Sequence, residues 1–142
     1  MKISKDAQAV VFKKSENKID FLLLKRYDKE KNKTDYRLIK GGIKKNEQPE
    51  DTIIREIKEE SGLKNLSLAI KLNKYSYQIR EVLHEVEVFL VENTKNEKME
   101  VDSENEGGFT IKDAEWVSPE IANTYLVFEQ EKSSIKKALD LI

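Results

Sequence analysis

The sequence predicts an α/β layer structure, on three grounds. Apolar and alternating runs read as strands near both ends of the chain, one sharply delimited amphipathic helix interrupts them, and a second amphipathic stretch closes the chain. With 142 residues, 38% hydrophobic and 37% charged, the chain has enough apolar material for one core and is expected to form a single globular, soluble domain over 1–142. No internal repeat, low-complexity tract or linker divides it.

Taken in order, Ala7 to Phe12 reads as a buried strand, Lys13 to Lys18 as a turn and Ile19 to Leu24 as a second strand. Asp28 to Asp35 is a charged loop, and Tyr36 to Ile39 a short strand leading into Gly41-Gly42. Pro49 to Ser61 is the best helix of the chain. Pro49 suits the first turn, Glu50 and Asp51 complement the N-terminal dipole, and Gly62 is a good stop. Lys64 to Ile79 and Glu81 to Val91 read as two long strands, with Val82, His84, Val86 and Val88 alternating against Leu83, Glu85, Glu87 and Phe89. Asn93 to Lys98 reads as a turn, Asp102 to Gly108 as an acidic loop and Ile111 to Val117 as a last strand. Ser118-Pro119 opens a short helix. Tyr125 to Ile142 reads as a terminal helix with Phe128, Ile135, Ala138, Leu139 and Ile142 turned inward.

Composition narrows the chemistry. Cysteine is absent, which excludes disulfides and thiolate metal sites, and a lone histidine, His84, excludes His-rich zinc sites. Any metal must be held by carboxylates and carbonyls, pointing to magnesium, manganese or calcium. Acids and bases nearly cancel, so no basic field argues for nucleic acid. Nothing resembles a signal peptide or membrane span, and a cytoplasmic protein is expected. Arginine stands only at Arg26, Arg37, Arg55 and Arg80, in a chain that otherwise uses lysine. Guanidinium suits bidentate contacts to carboxylate or phosphate, so each is of interest.

On the central helix Glu56, Glu59 and Glu60 stand at i, i+3 and i+4 and project to one side, while Ile53, Ile54 and Ile57 form the apolar stripe. Three carboxylates in one turn repel one another, at a cost of about a few tenths of a kcal/mol per pair. A hard divalent cation removes that repulsion and can activate water. Arg55 is placed to orient a carboxylate without titrating.

Gly41, Glu47, Arg55-Glu56-Ile57-Lys58-Glu59-Glu60-Ser61-Gly62-Leu63, with five and seven residues in the two gaps, resembles the Nudix box at all seven fixed and both aliphatic positions. The resemblance implies an α/β/α sandwich with a mixed β-sheet and a metal-dependent pyrophosphohydrolase. Glu56, Glu59 and Glu60 would bind Mg2+, for which Mn2+ can substitute. Glu47 and Arg55 would brace the box and orient those ligands, and Gly41, with the carbonyl of Lys40, would lie against the metal. A further glutamate, Glu104 or Glu106, would come from the late acidic loop. The chain ends resemble the dinucleoside-polyphosphate hydrolase branch, although Ile39 stands where that branch has proline, and its tyrosine falls later than Tyr75 and Tyr77. The substrate is therefore expected to be a dinucleoside or related nucleoside polyphosphate, with Lys40 on phosphate and Tyr75 or Tyr77 stacking on a base.

Other readings stand beside it: a nucleoside-triphosphate sanitising enzyme, an RNA 5′-pyrophosphohydrolase, an inositol-pyrophosphate phosphatase, or a binding domain without catalysis. An inositol polyphosphate would want a basic pocket, which Lys25, Arg26, Lys29, Lys31 and Lys33 would supply if their loop covered the site. His84 and Trp116 read as structural residues.

Overall fold

The computed structural model describes residues 1–101, 105–106 and 108–142, with backbone only at 69, 105 and 106. Strands β1 (Lys2–Ser15), β2 (Lys18–Asp28), β3 (Lys33–Arg37) and β4 (Ile39–Gly42) precede helix α1 (Pro49–Ser61). Strands β5 (Leu66–Ile79), β6 (Val82–Asn93), β7 (Asn105–Glu106) and β8 (Phe109–Val117) follow, then helices α2 (Pro119–Tyr125) and α3 (Glu129–Leu141). The strands form one mixed sheet in the order β5-β6-β1-β2-β8-β7, with β3 added to β2 and β4 to β1. Its parallel pair is β1 with β6, in register from Lys2↔Val82 to Phe12↔Glu92.

The alternation in the strands decides the two layers. Ala7, Ala9 and Val11 of β1, Phe89 and Val91 of β6 and Leu22 and Leu24 of β2 face α1, where Ile53 and Ile57 are fully buried. Val10, Phe12, Phe21, Leu23, Val86, Val88 and Leu90 face the opposite way and pack on Ala122, Ile135 and Ala138 of the other two helices and on Leu126 between them. Full burial of an Ile or Leu contributes about 1.5–3 kcal/mol, so each face holds its helix independently of the other. This is the expected α/β/α sandwich.

Local signals explain the element ends. Glu16 and Asn17 both take positive φ, the mirror-type turn that matches strand twist in a two-residue hairpin. Asp51 accepts the backbone N–H of Gln48 at 3.2 Å at the start of α1. Gly62 ends it at φ 79, and a Cβ there would meet the Glu100 backbone at 2.9 Å.

Several expectations change. The charged segment 28–35 is a hairpin rather than a loop, since β2 runs to Asp28 and β3 starts at Lys33. Lys29, Lys31 and Lys33 are exposed on it and do not form a basic lid. Ile54 is only half-buried, and Thr52 takes the inner position beside Ile53. The terminal helix starts at Glu129, not Tyr125, because Leu126 is extended and bridges to Tyr36. Phe128 is 47% exposed rather than turned inward. Among the described residues no helix is long and apolar enough to cross a membrane.

Candidate functional site

Strand β1 pairs with β4 from Asp6 to Ala9 and with β2 from Phe12 onward, so β4 and β2 leave it as a fork. Residues of both prongs, with β8 and α1, line a cleft of about 600 Å³. Helix α1 contributes Glu56, Glu59 and Glu60 with Arg55 beside them; Arg26, Arg37, Lys40 and Lys44 line the rest, together with Phe109 and Ile111 of β8. Opposite Lys25 and Arg26 the β8 register skips Lys112, a bulge of the kind that re-aims neighbouring side chains.

The acidic wall is braced by one arginine. Arg55 donates through Nε and Nη2 to both oxygens of Glu47, at 2.8 and 2.9 Å, through Nη1 to Glu56 at 2.8 Å and Glu59 at 3.5 Å, and through Nη2 to the Gly42 carbonyl at 3.2 Å. Five contacts for five N–H groups leave the guanidinium no freedom to turn. Glu47 also accepts from Thr52 Oγ1 at 2.7 Å and from the Lys44 N–H at 3.0 Å. The Arg55 hydrogen bonds, then those of Thr52 and Lys44, hold the Glu47 carboxyl far below its ordinary range. Glu47 in turn raises the Arg55 pKa, against the effect of burial.

Gly41 is held in β4 opposite Ala7, and a Cβ on it would come within 2.3 Å of the Glu56 carboxyl. Glu56 is buried at 8% exposure, so the glycine is the space its carboxylate occupies. Among the described residues no three Asp, Glu, His or Cys side chains converge tightly enough to form a closed metal site. The donor set nonetheless suits a hard divalent cation: carboxylates from one helix face meet at a solvent-reachable cleft, one of them seated in a glycine cradle.

The residues expected to bind substrate divide. Lys40 lines the cleft, with its ammonium on the Tyr77 hydroxyl and 3.6 Å from Asp6. Tyr77 stacks on His84 with centroids 4.6 Å apart and planes nearly parallel, so that ring face is covered. His84 Nδ1 lies 2.8 Å from Asp6 Oδ2 and does not line the cleft. Tyr75 does not line it either. It packs on the core and donates to Gln8 Oε1 at 2.7 Å, with burial pushing its pKa up. Trp116 is half-buried under Lys13, whose Nζ is 4.7 Å from the ring centroid. Glu104 lies outside the described residues; Glu106 is in β7 opposite Phe109, with its side chain outside them.

Sequence reasoning missed a buried network behind the cleft. Glu131 of α3 accepts from Arg37 Nε at 2.9 Å, Gln8 Nε2 at 2.9 Å and the Leu38 N–H at 3.1 Å. Burial raises its pKa, with the Arg37 charge and the hydrogen bonds from the Leu38 N–H and Arg37 opposing. All three partners are donors, which suits the carboxylate form. The scarcity of arginine was the one signal, and three of the four arginines line the cleft.

A family model described as NUDIX domain matches residues 4–139. No curated protein matches the sequence. Solved structures match in fold. The Caenorhabditis elegans Ap4A hydrolase in a binary complex is 20% identical, with 97% of this chain and 96% of that chain covered and a TM-score of 0.81. The NUDIX domain of Shewanella oneidensis NrtR, complexed with ADP ribose, is 14% identical over 99% and 89%, with a TM-score of 0.77. The Escherichia coli dihydroneopterin triphosphate pyrophosphohydrolase is 11% identical over the full length of both chains, with a TM-score of 0.75.

Proposed function

Because the chain belongs to the NUDIX family of pyrophosphohydrolases, we propose that it hydrolyses a phosphoanhydride bond in a nucleoside polyphosphate, a dinucleoside polyphosphate before others. One observation carries this reading. A single cleft sets three carboxylates on one wall against four cations besides Arg55 on the rest, the distribution that a metal-bound, multiply charged anion requires. The likeness in fold to an Ap4A hydrolase agrees with the choice of substrate.

Hydrolases of this family generally use divalent metal ions. Glu56, Glu59 and Glu60 would hold Mg2+ here, or Mn2+ in its place, with Gly41 close by and Glu106 a candidate further ligand because its partner Phe109 lines the cleft. When bound, the cation supplies Lewis acidity toward phosphate oxygens and water. The chain's residues do the rest. Glu47 fixes Arg55, and Arg55 holds Glu56 and Glu59 at the cleft. Lys44 and Lys40 offer positive charge to the phosphate chain, with Lys40 steadied by Asp6 and Tyr77. In the reaction a water oxygen bonds to phosphorus and the bond from phosphorus to the bridging oxygen breaks. The electron pair leaves with the departing phosphate, and one proton of the water is released.

A panel of nucleoside polyphosphates, assayed with magnesium and with manganese and with the products identified, tests this. Hydrolysis abolished by a chelator and restored by metal is expected. Undiminished turnover in chelator would overturn the carboxylate-metal reading, and an inositol pyrophosphate outrunning every nucleotide would overturn the substrate.

A further inference from the structure

Two arginines in the cleft wall are built alike, by residues far apart in sequence. Arg37 is tied through Nε to the buried carboxylate of Glu131, and its guanidinium carbon lies 4.4 Å from the Phe128 ring centroid. Arg26 is tied through Nε and Nη2 to Asp35, at 3.1 and 3.2 Å, and its guanidinium carbon lies 4.0 Å from the Phe109 centroid. Each guanidinium is thus oriented by a carboxylate and set over a phenyl ring, which removes much of the rotamer freedom a free arginine would lose on binding. Among the described residues neither Nη of Arg37 and not Nη1 of Arg26 has a hydrogen-bond partner. These nitrogens are not sealed in the protein, since no buried polar side-chain atom among the described residues lacks a partner.

Pairing brings the two together. Leu24 lies opposite Arg37 and Arg26 opposite Asp35, so the arginines are diagonal neighbours across the β2–β3 ladder, a spacing of about 7–8 Å that long side chains bridge. Both line the cleft that holds Glu56, Glu59 and Glu60. A salt bridge serving only to tie α3 to the sheet needs neither a cleft-facing guanidinium nor a second copy of the arrangement on β2.

We propose that Arg37 and Arg26 bind phosphate groups of the substrate beyond the bond that is cut, and so set the number of phosphates the enzyme prefers. Glu131 and Asp35 are positioning residues for them. The inference rests on reading the cleft as a polyphosphate site. Preformed guanidinium forks donate paired N–H groups to phosphate oxygens, whereas lysine offers a point charge on a flexible stem.

The test is a set of substitutions read on dinucleoside polyphosphates of three, four and five phosphates, with inorganic tripolyphosphate as a nucleoside-free competitor. In Arg37→Lys and Arg26→Lys, KM for the longer substrates should rise about ten-fold or more while kcat changes little. The preference among chain lengths should flatten, and the inhibition constant of tripolyphosphate should rise in parallel. Arg37→Gln with Glu131→Gln removes both charges together and keeps a neutral pair, so it reads the site without an unpaired buried carboxylate. Glu131→Gln alone should raise KM with kcat at saturation preserved. Wild-type KM values across the series, with unchanged tripolyphosphate inhibition, would overturn the proposal. If the protein cleaves no dinucleoside polyphosphate, tripolyphosphate binding followed by calorimetry separates the two readings. Weaker binding in the arginine variants supports the anion site and sinks only the substrate class; equal binding sinks the anion site.

Discussion

Two glutamates on two thirteen-residue helices make the same bond in opposite layers of the sandwich. Glu56 of α1 and Glu131 of α3 are both buried, and each accepts from an arginine at 2.8 to 2.9 Å. The arginine of Glu56 is its chain neighbour, and that of Glu131 is 94 residues away. The Glu56 carboxylate stands at an open cleft, seated against Gly41; the Glu131 carboxylate is enclosed with Gln8 and the Leu38 N–H, and of that pair the arginine reaches the cleft. Burial and partner are alike, so the chemistry of a carboxylate here follows from what it faces. Exposure to a cleft leaves Glu56 open to a ligand under the proposed reading, while enclosure sets Glu131 against an arginine.

The comparison can be broken most severely at Glu131. Glu131→Ala leaves the Arg37 charge against an empty space and should destabilise the fold by about 3–5 kcal/mol, measured by denaturant unfolding. A loss near zero would mean that the buried pair does not hold α3. At the other glutamate wall the prediction reverses, with activity lost and the fold kept. Glu60→Gln, and likewise Glu56→Gln, should lower kcat by about a hundred-fold or more, close to 3 kcal/mol at the barrier, with little change in melting temperature. Wild-type turnover in both would make that helix face a solvated surface.

Gly41→Ala sharpens the contrast, since its methyl group competes with the Glu56 carboxylate for space. A fall in kcat of about ten- to a hundred-fold, with KM less affected, is expected because that carboxylate must move by roughly an ångström to clear the methyl group. The smallest effect belongs to Glu97, which lies outside both walls. Burial raises its pKa, but the backbone N–H groups of Lys64 and Asn65 and the side-chain amides of Asn65 and Asn93 more than reverse this, holding it at about 2 against an ordinary 4.5. A carboxylate with a lowered folded pKa contributes stability that is complete above pH 4.5 and lost as pH falls toward 2. Melting temperature should therefore fall less between pH 5 and pH 3 in Glu97→Gln than in wild type; equal slopes would remove Glu97 as the source.

What the sequence disclosed divides along the same line. Helix α1 was legible to the residue because its signals, Pro49, Asp51 and Gly62, act within one turn, and the box spacing gathered Glu47, Arg55 and Glu56 without any knowledge of the sheet. The strands were read short. Lys2 to Asp6, apart from an exposed Ile3, and Lys25 to Asp28 are mostly polar, and only pairing with β6 and β8 shows them to be strand. Helical periodicity turns Phe128 inward, yet the helix begins one residue later and the ring lies under Arg37 instead. Arg37 and Glu131 could not be joined from the sequence, since neither carries a local pattern that names its partner.

The parallel pairing of β1 with β6 has a consequence for how the chain is made. Lys2 and Val82 are roughly eighty residues apart, and the ladder between their strands lies at the centre of the sheet. On a ribosome adding about 5–20 residues per second, β1 emerges several seconds before its partner exists. Through that interval the apolar run from Ala7 to Phe12 has β2 and β4 along one edge and nothing along the other. Closing so long a loop is slow, so the nascent chain spends its most aggregation-prone period with this edge bare. The charges that flank the run, Lys2, Lys5 and Asp6 before it and Lys13 and Lys14 after it, are of the kind that discourages edge-to-edge pairing in an unfinished chain.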